Sequence, residues 1–184
     1  KAASLTLNRA TDSTRQPGST FKIVSTYATA LEQGQTLATV YKDEKYEYSD
    51  GTQVRNASGR YLGNITIRKA IEQSVNVVAV KTLTEVTPRA GYNQLLNFGF
   101  TTLVDKEEIN GKVYTDISQP LALGGITHGV TNLELTAAYA SLANGGIYNS
   151  PSFYTTVTDT DGNIILESQP DTHETVKDST AYLL

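Results

Sequence analysis

Between Ser19 and Glu32, apolar residues fall at Phe21, Ile23, Val24, Tyr27, Ala28 and Leu31. That spacing gathers them on one side of a helix, so the segment predicts an amphipathic helix that must bury a face against the rest of the chain. Pro17-Gly18 signals the turn before it and Gly34 the stop after it. The same pattern recurs on a smaller scale. A short helix is expected from Thr66 through Ile67, Ala70 and Ile71, then a break at Ser74-Val75-Asn76, then an apolar helix from Val77. Ala90 to Phe98 predicts another helix, stopped by Gly99. Leu133 to Leu142 is framed by a T-x-x-E capping box at Thr131 and Glu134 and by Asn144-Gly145-Gly146. Asp178 or Ser179 would cap a last helix. Strand signals are short. Residues 35–64 read as turns and minor strands around a hairpin at Asp50-Gly51. "INGKVY" turns at Asn110-Gly111, and "FYTTVTDTDGNIILE" turns near Asp161-Gly162. Helices dominate with strands at the margins, which makes this an α+β chain.

Composition narrows the chemistry. A net charge of −4 argues against general nucleic-acid binding, which needs clustered Lys and Arg. The absence of Cys removes thiol catalysis, disulfides and Cys-ligated metal. No apolar run reaches the roughly 20 residues of a membrane span, and no signal peptide is visible. The chain opens at Lys1 without a Met and closes on "STAYLL", so it is expected to be a piece of a longer protein whose anchor would lie outside it.

Two constellations are able to carry chemistry. Ser19 and Lys22 stand at i and i+3 on a helix face, within reach of each other. The helix N-terminus favours an alkoxide and a neutral lysine, and its unpaired N–H groups can act as oxyanion donors. The plain reading of the same pair is an N-cap serine and a solvated first-turn lysine. A bare S-x-x-K is expected by chance on the order of once in a chain this long. Ser74 and Asn76 flank the helix break, where a hydroxyl can relay a proton and a carboxamide can hold a substrate amide. Their plain reading is again capping. His128 and His173 lack a carboxylate or metal-ligand pattern and read as structural or surface residues. Asp43-Glu44 and Glu107-Glu108 read as solvated loop charges. "ALGG" at 122–125 lacks the strand and helix that a phosphate loop needs. Asn56-Ala57-Ser58 fits a glycosylation sequon, a pattern frequent by chance.

Ser19-Thr20-Phe21-Lys22 followed by Ser74-Val75-Asn76 matches the S-x-x-K and S-x-N pair of serine acyltransferases. The flanks "NRATDSTRQPGSTFK", "GNITIRKAIEQSVNVVAVKTL" and "QPLALGGITHGVTNLELTAAYASLANGG" agree in wording and order with one group of them. The chain resembles, over nearly its whole length, the transpeptidase domain of class A bifunctional penicillin-binding proteins.

That resemblance implies a fold shared with serine β-lactamases, of which residues 1–184 would be an incomplete transpeptidase domain. The piece would hold mostly the helical part, with the C-terminal strands of the main sheet missing. It implies Ser19 as nucleophile, Lys22 as its general base, Ser74 as proton relay and Asn76 as substrate-binding residue, with no metal or organic cofactor. The implied partners are peptidoglycan stem peptides ending in D-Ala-D-Ala, and β-lactams, which would acylate Ser19. The implied setting is the extracytoplasmic face of a bacterial membrane, with a glycosyltransferase domain upstream and an anchor outside this chain.

The family's third motif, K-[ST]-G, is absent; Lys81-Thr82-Leu83 comes closest but lacks the Gly and lies in an apolar helix. Asn132 also stands where relatives often have Pro. Lowering a lysine from near 10.4 to about 7 takes roughly 4.6 kcal/mol, whereas a helix terminus supplies about 0.3–1 kcal/mol. The balance must come from desolvation and a second cation, which the missing strand would carry. The competing readings are a serine β-lactamase, for which "KEEIN" at 106–110 offers a poor deacylating carboxylate, and a non-enzymatic β-lactam sensor on the same fold.

Overall fold

A computed structural model describes residues 6–184. The segment after Pro17 is helical as expected but wound in three ways: a 3-10 turn at Gly18–Thr20, a π-helical run at Lys22–Tyr27, and α1 at Ala28–Glu32. Its sequence reads as amphipathic, yet Ser25, Thr26 and Thr29 are buried along with Phe21, Val24, Tyr27, Ala28 and Ala30. The hydroxyls account for the difference. Ser25 Oγ donates to the Phe21 carbonyl at 2.7 Å, and Thr29 Oγ1 donates to the Ser25 carbonyl at 2.9 Å. A hydroxyl folded back on its own helix is satisfied there, so the polar face can be buried like the apolar one.

This buried helix is the axis of the molecule. Five elements pack on it: α2 (Ile67–Glu72), α3 (Asn76–Val86), α4 (Pro88–Asn97), the 3-10 segment Gln119–Leu123 and the last helix, Asp178–Leu183. Gly91 shows how closely α4 approaches. A Cβ there would stand 2.5 Å from Leu83 Cδ1 and 2.7 Å from the Ser25 carbonyl oxygen. Local signals set most helix ends. Thr66 Oγ1 accepts from the Lys69 N–H at 3.2 Å to open α2. Thr87 Oγ1 caps α4 at Ala90, and Pro88 takes the first position, where its missing N–H costs no bond, so α4 starts two residues before the expected Ala90. α5 (Asn132–Ala143) carries both halves of the Thr131–Glu134 capping box. α6 (Asp178–Leu183) departs from expectation, because neither Asp178 nor Ser179 caps it. Lys177 holds the cap position, and its N–H donates to Glu32 Oε1 at 3.0 Å, so a tether from α1 fixes where α6 begins.

Strands occur as antiparallel pairs, and among the described residues no sheet has more than two. Three pairs are the expected local hairpins: Tyr46–Glu47 with Gln53–Val54, Glu107–Ile109 with Lys112–Tyr114, and Thr156–Thr158 with Ile164–Glu167. The other three join distant segments: Thr14–Arg15 with Val130–Thr131, Val40–Asp43 with Gly63–Thr66, and Ile147–Asn149 with Thr172–Glu174. The α+β class holds, with strands at the margins of a helical body.

Candidate active site

Ser19 lies in the 3-10 turn at the head of the axial helix, and neighbouring groups pin that turn. Thr20 Oγ1 donates to the Pro17 carbonyl at 2.7 Å, and Tyr139 Oη, from α5, donates to the Thr20 carbonyl at 2.7 Å. Gly124 of "ALGG" lies against Gly18, where a Cβ would come within 2.5 Å of the Gly18 nitrogen. The Gln16 amide bonds both the N–H and the carbonyl of Ile126. No side chain caps the turn, and Ser19 is exposed, so the N-cap reading of Ser19 does not describe it.

Lys22 is 2% exposed, which overturns its reading as a surface charge. Its Nζ donates to the Ser74 carbonyl at 2.6 Å, Ser74 Oγ at 2.9 Å and Asn76 Oδ1 at 2.6 Å. All three acceptors are uncharged, so none offsets the desolvation of an ammonium as a carboxylate would. Burial pushes the Lys22 pKa down to about 8. Ser74 holds φ at 49°, in the left-handed region, and turns both its carbonyl and its hydroxyl to Lys22.

Ser74 does not cap α3. That role falls to Asn56, whose Oδ1 accepts from the N–H groups of Asn76 at 3.0 Å and Val77 at 3.2 Å. Asn56 Nδ2 in turn donates to both carboxylate oxygens of Asp43, at 2.8 and 3.0 Å. One expectation is corrected here: Asp43 is 1% exposed rather than solvated. The Asn56 amide is buried and fully engaged, which accords with reading its sequon as a chance pattern. The available signal for Asp43 was the alternation in "VYKD", which puts it on the same strand face as the core-packed Tyr41.

Ser19, Ser74 and Asn76 line one cleft of about 300 Å³ together with Asn56, Arg60 and Gln73. The four sequence-predicted residues therefore converge: three line the cleft and Lys22 is buried behind them. The weaker candidates lie elsewhere. Glu107 and Glu108 sit on the 107–114 hairpin, where Glu107 Oε2 meets exposed His128 Nε2 at 2.5 Å. His173 Nε2 lies 2.8 Å from the Asn97 carbonyl, and its ring packs 5.1 Å from that of Tyr148. Among the described residues no group of His and acidic side chains is arranged to hold a metal, and no helix is long and apolar enough to cross a membrane.

The model of the penicillin binding protein transpeptidase domain matches residues 2–184. Penicillin-binding protein 1A of Streptococcus pneumoniae is 36% identical over 182 residues, covering 97% of this chain and 24% of that protein. The chain thus spans about a quarter of that relative's length. Penicillin-binding protein 1A of Haemophilus influenzae superposes with a TM-score of 0.73 at 32% identity, over 90% of this chain and 24% of that one. Penicillin-binding protein A of Mycobacterium tuberculosis, solved as an imipenem acyl-enzyme complex, superposes with a TM-score of 0.80 over 96% of this chain and 43% of that one. At 21% identity that last likeness speaks for the fold.

Proposed function

The chain belongs to the penicillin-binding protein transpeptidase family, and from that premise we propose that it carries the acylating part of a serine D,D-transpeptidase that cross-links peptidoglycan stem peptides. Ser19 Oγ attacks the carbonyl carbon of the penultimate D-Ala. An ester forms, the peptide C–N bond breaks, and the terminal D-Ala leaves. The serine proton passes to Lys22 Nζ, and a proton reaches the departing amine through Ser74 Oγ. In the second half, the amine of a neighbouring stem attacks the ester, a new amide forms, and the amine's proton restores the Ser19 hydroxyl along the same route. Asn76 offers its carboxamide to the substrate backbone. The scheme uses no metal or organic cofactor. It places the chain as part of a larger transpeptidase domain on the outer face of a bacterial membrane, anchored through another part of the protein.

One observation carries this reading: a buried lysine, its pKa pushed down to about 8, sits behind a cleft lined by Ser19 and is bonded to Ser74 and Asn76. The M. tuberculosis relative forms an acyl-enzyme with imipenem, and by the same chemistry β-lactams acylate Ser19 here. The test incubates the protein, as its gene encodes it, with penicillin G and reads intact mass and a peptide map. The expected result is one adduct on Ser19 that is lost in Ser19→Ala. No adduct, or an adduct on another residue, overturns the reading.

A further inference from the structure

Asn56 and Asp43 have no part in that scheme, yet both are buried beside it. The partners of Asn56 settle which way its amide points. The Arg60 carbonyl can only accept, so Nδ2 faces it at 2.9 Å and faces the two Asp43 side-chain oxygens at 2.8 and 3.0 Å. The N–H groups of Asn76 and Val77 can only donate, so Oδ1 faces them. Reversing the amide would set NH2 against two N–H groups and a carbonyl against a carboxylate. Asp43 is itself held by the Leu62 N–H at 2.8 Å.

The series of bonds ends on the segment that holds Lys22. The three acceptors at Lys22 Nζ belong to Ser74 and Asn76, and Ser74 keeps its left-handed backbone only where its surroundings enforce it. We propose that Asp43 and Asn56 are a positioning pair: Asp43 orients the Asn56 amide, and Asn56 pins residues 76 and 77 so that Ser74 and Asn76 present their oxygens to Lys22. The catalytic consequence rests on the transpeptidase reading above; the hydrogen-bond arrangement does not.

The test uses the gene-encoded protein with Asn56→Ala, Asp43→Asn, Asn56→Asp and the exchange Asp43→Asn/Asn56→Asp. Each single change is expected to lower the rate constant for penicillin acylation by roughly 10–100-fold, the loss typical of groups that orient reactive side chains. In the exchange, the amide introduced at position 43 can donate to the carboxylate introduced at position 56. The other oxygen of that carboxylate still accepts from residues 76 and 77, but the oxygen that replaces Nδ2 now faces the Arg60 carbonyl, so only part of the rate returns. Amide hydrogen exchange gives a readout that needs no activity. In Asn56→Ala, Asn76 and Val77 lose protection while Val80 to Leu83 keep theirs; in the exchange variant Asn76 and Val77 regain it. Should Asn56→Ala fail to fold, Asn56→Asp and the exchange variant decide. Singles that melt earlier but acylate at the normal rate, or an exchange variant no better than the worse single, overturn the pair. If the unaltered protein does not react at Ser19, the transpeptidase reading fails, and amide protection still decides the pair.

Discussion

In the proposed scheme, Lys22 concentrates the chemistry in one side chain. A pKa of about 8 leaves about a tenth of it neutral at pH 7, because each pH unit is a factor of ten in the ratio of the two forms. As a general base it acts only when neutral, so the acylation rate of Ser19 should climb nearly tenfold from pH 7 and level off above a midpoint near 8. Stopped-flow acylation across that range checks this, and a flat profile would remove Lys22 from the role. Ser74 allows its fold and its chemistry to be separated. Its φ of 49° costs a non-glycine residue about 1–2 kcal/mol, and glycine gives back roughly 0.5–1 kcal/mol through unfolded-state freedom. Ser74→Gly should therefore melt at the same temperature or slightly higher while acylation falls by about 10²-fold or more, the scale of a lost acid–base group. A melting scan beside a penicillin-labelling time course reads both, and retained labelling would show that the hydroxyl is not the relay.

At the scale of elements, what was legible in the sequence was local. Thr131 and Glu134 are three residues apart, and the box they form is present in full. Gly34, Gly51, Gly111 and Gly162 take positive φ at expected turns or stops. What was illegible joins segments far apart in sequence. Lys22 meets Ser74 across 52 residues, which the family resemblance implied and the residues alone did not, and Asp43 meets Asn56 across 13, which neither did. The axial helix misled for a different reason: the hydroxyls of Ser25 and Thr29 hide on their own backbone, so a stripe that reads as polar is buried. Even the legible box has a reach the sequence does not announce, because Glu134 Oε1 also accepts from the Thr101 N–H at 2.8 Å and Thr101 Oγ1 at 2.7 Å. Burial works against the Glu134 carboxylate, but these bonds and those from Thr131 hold its pKa below the usual value. Its contribution is therefore present above the unfolded-state pKa and lost as pH falls through the lower folded value. Glu134→Ala should destabilise by about 1–3 kcal/mol, the cost of leaving such donors unpaired. Urea unfolding at pH 7 measures it, and a change under about 0.5 kcal/mol, the range of ordinary surface substitutions, would show the box to be incidental.

For the molecule as a whole, the helices form one body and the strands do not. Paired only in twos among the described residues, the strands leave backbone groups along their outer edges, and the 156–167 hairpin leaves Ile164, Ile165 and Leu166 exposed. Such edges and apolar side chains invite a further strand or sheet, and an isolated two-stranded pair is marginal in water. The site is of the same kind. Ser19, Lys22, Ser74 and Asn76 are assembled by the helical body, but the 184 residues contain no K-[ST]-G sequence, which under the transpeptidase reading would add a second cation and an oxyanion donor. Burial alone brings Lys22 to about 8, and one missing oxyanion donor costs about 10²–10³ in rate. The 184-residue chain, taken by itself, should therefore bind fluorescent penicillin covalently at Ser19 at least about 10²-fold more slowly than a relative carrying all three motifs, by that same measure. The comparison is made at equal concentration, with circular dichroism confirming that the helical body is folded. Stoichiometric labelling within the dead time of the relative's reaction would mean that Ser19, Lys22, Ser74 and Asn76 suffice for acylation without a K-[ST]-G motif.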